Sequence, residues 1–340
     1  ISEWESYWDS WVAQLGETLE DIEAWVTAVE TYVYGVSNLL RQIHGAIVPV
    51  HYPDVYSAYL EGERKVMVLG VNDTSLTNKS VYGLTVTLCN ATLYLDNCYV
   101  ENFRVTGFHS VDSDVVYLNN VSSKNVSFAN IFLTRNINEK IYVNTFFEIV
   151  NCKVFNLLYI NASTTPCVIK IQNNYFLGGG LFLWGEIYGE ITNCIFNDSK
   201  LILFLPPYRG MSITGCSFRM YNSVNFYCIY LYNCWGGAVS AITISGCVFK
   251  PVANGGCIYA SEANFITISG CNFLVTPAGA SIGIGMYSCN NWAIVGNVFD
   301  AAGKTAIRGD SCNANVIVGN SLGGGSININ GYGNIIEHNY

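Results

Sequence analysis

AITISGCVFKP at 241–251 and FITISGCNFLV at 265–275 share the letters ITISGC-x-F, 24 residues apart. Read as apolar, any, apolar, any, Gly/Asn, Cys/Asn, any, aromatic or aliphatic, the phrase recurs along most of the chain. It is found as LYLDNCYV (93–100), VYLNNVSS (116–123), FEIVNCKV (147–154), IKIQNNYF (169–176), EITNCIF (190–196), SITGCSF (212–218), AIVGNVF (293–299), VIVGNSL (316–322) and IIEHNY (335–340). Its sixth position falls at Cys98, Val121, Cys152, Asn174, Cys194, Cys216, Cys247, Cys271, Asn297, Asn320 and Asn339. The intervals are 23, 31, 22, 20, 22, 31, 24, 26, 23 and 19, a period near 22 with two longer steps.

Short β phrases repeated at such a period mark a solenoid, in which each turn of chain stacks on the one before. Leucine-rich repeats share the period but require a Leu ladder and an Asn turn that this sequence lacks. The pattern therefore predicts a mainly β chain folded as a right-handed parallel β-helix. Equivalent residues then lie about 4.8 Å apart in ladders along the axis. A small side chain at a tight corner suits the sixth position, and a buried thiol or a hydrogen-bonded amide both qualify. A second ladder runs in step with the first: Cys234, Ala263, Cys289, Cys312 and Asn334 each lie five residues after an isoleucine. The 13 cysteines thus read as packing residues, with bridges between stacked neighbours such as Cys247 and Cys271 left open.

Residues 2–44 follow a different period. One heptad position holds Trp8, Leu15, Ile22, Val29, Val36 and Ile43, and the other holds Trp4, Trp11, Thr18, Trp25, Tyr32 and Leu39. Eleven of the twelve are apolar or aromatic, the signature of an N-terminal coiled-coil α-helix about 65 Å long. Branched residues at one seam and aromatics at the other leave room for three strands; the alternative is a helix folded back along its own β-helix as a cap. These boundaries give a stalk at 1–45, a neck at 46–66 with Pro49, Pro53 and Gly62, and a β-helix at 67–340.

Charge narrows the function. Eight acids against Arg41 alone in residues 1–45 supply most of a net charge of −9, and the remainder is nearly neutral. Phosphate backbones require a basic stripe, so nucleic acid is not an expected partner. An apolar run of about 18 residues is missing, so no membrane span is expected. Cys/His spacing suited to zinc is missing too, so neither a metal nor a cofactor is expected. The four histidines have no triad order. The chain begins at Ile1 and ends on the last letter of a repeat phrase without a polar cap, which predicts a longer natural chain or ends that close one another in an oligomer.

The heptads at 4–43, the short neck and the repeat phrases ending at 339 together resemble the trimeric tail fibres and tailspikes of viruses. The low charge with many Tyr, Ile and Asn residues is similar to virion proteins of archaeal viruses. The resemblance implies a homotrimer on the virion surface, joined to other virion proteins through its stalk and contacting a host surface glycan or receptor. Trimerisation then falls to Trp4, Trp8, Trp11, Leu15, Ile22, Trp25, Val29, Tyr32, Val36, Leu39 and Ile43. Two alternatives are a polysaccharide-degrading tailspike enzyme, a glycoside hydrolase or lyase, and a cellular surface-layer or adhesin protein.

Side-chain alternation places Tyr232, Ser261, Tyr287, Asp310 and Tyr332 in one outward column. Tyr232, Tyr287 and Tyr332 are the glycan-contact candidates, and Glu262 and Asp310 are the only nearby carboxylates to consider for catalysis. Two turns apart, these two would be separated by roughly 10 Å, at or beyond the upper edge of what an inverting glycosidase needs, so the match is poor. Seven N-x-S/T sequons, at Asn72, Asn78, Asn90, Asn120, Asn125, Asn161 and Asn197, are glycosylation candidates if the chain is extracellular.

Overall fold

The computed structural model describes residues 2–70, 74–107, 114–119, 121–129, 131–135, 141–204, 210–220, 227–234, 242–251, 255–275 and 282–340. Helix α1 (Ser2–His44) leads into a parallel β-solenoid of about 11 turns. Every strand pairing is parallel, and three flat walls result. Wall A starts at Thr74–Thr77, wall B at Ser80–Tyr82 and wall C at Ala46–Val48.

The repeat phrase builds the corner from wall C to wall A. Its fifth residue holds a left-handed backbone at Asn151, Asn173, Asn193, Gly215, Gly246, Gly270, Gly296, Gly319 and His338. Glycine and asparagine tolerate that conformation best, which accounts for the Gly/Asn choice. The sixth residue then closes the turn against the previous coil. Cys194 Sγ donates to the Ile171 carbonyl at 3.6 Å, Cys216 Sγ to Ile191 at 3.6 Å and Cys271 Sγ to Ile244 at 3.6 Å. Asparagine makes the same bond with its amide: Asn297 Nδ2 donates to Ile268 at 3.0 Å and Asn320 Nδ2 to Ile294 at 2.9 Å. Its Oδ1 also accepts a backbone N–H of the coil before, Cys271 N–H for Asn297 at 2.9 Å. Thiol and amide alternate because each supplies a donor where one buried carbonyl lacks a partner.

The eighth letter of the phrase forms the central ladder of the core. Phe176, Phe196, Phe218, Phe249, Phe273 and Phe299 are stacked on successive coils of wall A, with centroids 4.5 to 5.0 Å apart. All six are buried.

Two register assignments from the sequence change. Cys98 and Val121 share the phrase but sit at the corner entering wall B, since Ser122 N–H bonds to the Cys98 carbonyl. Above Cys152 stands Ile131, whose carbonyl accepts the Lys153 N–H. The 31-residue step before Cys152 is thus a change of corner rather than an insertion. Asn334 leaves the second ladder as well: its Oδ1 accepts the Asn315 N–H at 3.1 Å, while Cys234, Ala263, Cys289 and Cys312 remain in register and buried.

The segment expected as a neck at 46–66 already belongs to the solenoid. Ala46, Ile47 and Val48 pair with Val66, Met67 and Val68. Helix α2 (Val55–Leu60), capped by Asp54 accepting the Ser57 N–H at 2.7 Å, buries Val55 and Ala58 over this first coil. At the base of α1, Arg41 pairs with Glu63. His51 Nδ1 accepts the Ile47 N–H at 2.9 Å, and burial, then Arg41, holds its imidazole below the ordinary pKa.

Helix α1 is one continuous helix and does not fold back on the solenoid. Its described side chains from Ser6 to Trp11 and onward to Leu39 are exposed, Gly16 and Asn38 being half-buried. Trp4 and Ile43 have side chains outside the described residues. The apolar face is broader than two heptad positions, because Val12, Leu19, Val26 and Val33 add a third exposed row. An apolar face three positions wide suits a bundle core rather than a two-stranded seam.

All 13 cysteines are free, and twelve are buried. Burial, then Asp96, pushes the Cys98 thiol up to about 12, and burial raises Cys228 and Cys257 as well. Ellman's reagent at pH 8 is therefore expected to titrate at most one thiol, Cys89, in the native protein and 13 after denaturation. A denatured count of 11 or fewer without reductant would reveal disulfides.

Candidate functional site: an outward aromatic wall

Alternation along a strand sends every second side chain of wall B outward. Two outward columns result, both fixed by the strand register. The first runs Tyr159, Phe182, Ile202, Tyr230, Tyr259, Gly285 and Arg308. The second runs Asn161, Trp184, Phe204, Tyr232, Ser261, Tyr287 and Asp310. Rings on neighbouring coils touch: Tyr159 and Phe182 at 4.4 Å, Trp184 and Phe204 at 4.5 Å. Further on, Tyr227, Tyr230, Tyr232 and Tyr259 form a cluster with centroids 5.3 to 6.2 Å apart.

Of the residues singled out in the sequence, the structure brings Tyr232, Tyr287 and Asp310 into one column and puts Glu262 at the adjoining corner. Tyr332 lies elsewhere. Gly309 pairs with Ile329, which aligns Asn330 with Asp310, and Tyr332 N–H instead bonds to Asn313 Oδ1 at 2.8 Å. The irregular register in the last turns of wall B moved it out of the column. Glu262 is exposed at a left-handed corner position, φ 53°. Asp310 is held by Arg308 at 3.1 Å. That arrangement supplies polar contacts at the foot of an apolar wall and assembles no acid–base pair. The rows at Tyr159, Phe182, Trp184 and Phe204 lie upstream of the isoleucine-anchored ladder and are signalled in the sequence only by the period-2 alternation in YFLGGGLFLWG and KLILF.

Wall A carries a shallow groove of about 540 Å³, lined by Ser75, Thr77, Tyr94, Asp96 and Tyr117 among others. Tyr94 and Tyr117 stack there at 4.8 Å. Among the sequons, Asn78, Asn90 and Asn125 are exposed and Asn197 is half-buried, while Asn72 and Asn120 fall outside the described residues. Asn161 is only 8% exposed, in the packed start of the second column, which removes it as an acceptor site.

Residues 160–340 match a family model described as periplasmic copper-binding protein (NosD). The donors present do not fit a copper centre. Among the described residues no three His, Cys, Asp or Glu side chains converge to hold a metal. The corner thiols stand in columns along the axis, and Cys194, Cys216 and Cys271, sealed in the core, spend their hydrogens on carbonyls.

Tailspike protein 3 of bacteriophage CBA120 superposes with a TM-score of 0.51 at 15% identity, over 86% of this chain and 54% of that one. The chain thus spans about half the length of that phage protein. The catalytic unit of a GH87 α-1,3-glucanase from Streptomyces thermodiastaticus gives 0.42 at 10% identity, over 81% and 63%. ORF18 of Geobacillus virus E2 gives 0.35 at 14%, over 75% and 53%. At these identities the likeness is one of fold. No curated protein sequence matches the chain. With its C-terminal 181 residues, more than half of the 340, matched by that model, the chain belongs to the NosD family of β-solenoid proteins.

Proposed function

We propose that this chain is an adhesive fibre or tailspike-type protein on a virion surface, displayed in the extracellular medium. It assembles as a homotrimer through α1, joins other virion proteins by that stalk and meets a host surface glycan or receptor with its solenoid walls. The observation that carries this reading is the wall of outward rings from Tyr159 to Tyr287. Rings standing outward on a rigid sheet offer contact area at little entropic cost, and their edges and hydroxyls suit the mixed apolar and polar surface of a saccharide. The uncovered stripe of α1 supplies the means of assembly.

Binding of the purified protein to a panel of envelope polysaccharides tests the proposal. Tyr287→Ala is expected to weaken retention by roughly tenfold or more, equivalent to about 1.4 kcal/mol, with an unchanged melting temperature because Tyr287 is exposed. Retention equal to wild type would remove the wall from adhesion. Polysaccharide turnover abolished by Glu262→Gln and by Asp310→Asn would replace the adhesive reading with the enzymatic one.

A further inference from the structure

We propose that Ser261 marks a slot for a single neutral pyranose ring, held between Tyr232 and Tyr287. The proposal rests on the glycan-contact reading of wall B and assigns its ligand class. Tyr232, Ser261 and Tyr287 occupy the same column on three successive coils. Two coil spacings separate the tyrosines, about 9.6 Å. That leaves two contact gaps of about 3.5–4.0 Å and the thickness of one puckered ring between them.

Trp184 and Phe204 close on each other at 4.5 Å. Gly285 also lacks a ring, but Tyr227 Oη and Tyr259 Cδ2 each lie 3.7 Å from where its Cβ would be, so neighbouring rings already cover it. At Ser261 the column itself carries only a hydroxymethyl group between the two tyrosines. Tyr287 is 51% exposed and has no ring partner among the described residues. Tyr259, 6.0 Å from Tyr232, forms the side of the slot.

The polar groups decide the class of sugar. The Ser261 hydroxyl lies at the floor and Glu262 follows it on the exposed corner. Arg308, the nearest cation below, is committed to Asp310. With Arg308 paired to Asp310 and Lys200 Nζ placed over the Tyr230 ring of the coil above, the carboxylate and the hydroxyl are the groups that meet sugar hydroxyls, and the carboxylate repels uronate or sialate carboxylates.

Calorimetry with mannohexaose, maltohexaose and cellohexaose, and with hexagalacturonate as the acidic comparison, tests the slot. Wild type is expected to bind at least one neutral hexasaccharide and not the uronate. Ser261→Tyr, which completes the ring column in place of the ligand, is expected to weaken that binding by at least about tenfold, whereas Val295→Ala, exposed on wall C, retains it. Melting curves of each variant establish that the fold is intact. Neutral-sugar binding unaffected by Ser261→Tyr, or preference for the uronate, overturns the slot while leaving glycan contact by the wall standing. Failure of all four oligosaccharides overturns the slot too, and the polysaccharide panel then decides whether the wall binds glycans at all.

Discussion

Replacing Trp25 and Val29 together by Glu is expected to reduce a particle of three times 37.4 kDa to a single chain of 37.4 kDa in light scattering or sedimentation. The two residues occupy the two heptad seams midway along α1, and 68% of Trp25 and 39% of Val29 are exposed in the single chain. A tryptophan side chain of about 150–250 Å², of which about two thirds is left to bury on association, contributes on the order of 2.5–4 kcal/mol per chain at roughly 25 cal/mol per Å². Two added carboxylates on each strand would be driven into that core beside a helix already rich in acids, without partners. The solenoid core lies away from α1 and should keep its melting temperature, so loss of mass without loss of fold is the expected pair of results. A wild-type protein that is itself monomeric at micromolar concentration would refute assembly through the helix.

The second large effect belongs to the core. Phe249 is fully buried between Phe218 at 5.0 Å and Phe273 at 4.8 Å, so Phe249→Ala leaves a ring-sized void in the middle of the stack. Such truncations cost about 3–5 kcal/mol. Phe299 has Phe273 on one side but, because Val298 pairs with Ser321, meets the half-buried Leu322 rather than a ring on the next coil, so Phe299→Ala should cost less. Solenoids unfold through nearest-neighbour interfaces, and Phe249→Ala should therefore also raise proteolysis at the turns on either side of it. Chemical denaturation of both variants checks the order. Equal midpoints would mean that the rings do not act as a stack.

The parts of this fold that were legible in the sequence are those fixed by one coil's own chemistry. Gly246 and Gly270 announce left-handed corners, Cys247 and Cys271 the donors that close them, and Phe249 and Phe273 the ladder behind. What was not legible depends on counting across coils. The LYLDNCYV phrase looks like the others, yet Cys98 turns a different corner, because a three-cornered prism can place the same local chemistry at more than one of them. Tyr332 lies three residues after Ile329, whereas Ile327 is the residue that pairs with Ile307. The capping role of α2 was hidden by the prolines around it. The ring column at Tyr159, Phe182, Tyr230 and Tyr259 required tracing the alternate outward position through segments of unequal length. The heptads mark two seams on the helix, and the third row at Val12, Leu19, Val26 and Val33 is evident only from its exposure.

A density map at side-chain resolution, from crystals or electron cryomicroscopy, is the most direct test of the stacked corners on which everything else stands. The Cα atoms of Cys216, Cys247 and Cys271 should follow one another at about 4.8 Å along a single line, with Asn297 next. Finding these four residues at unrelated places in the molecule would contradict the solenoid, and with it the aromatic wall and the slot at Ser261.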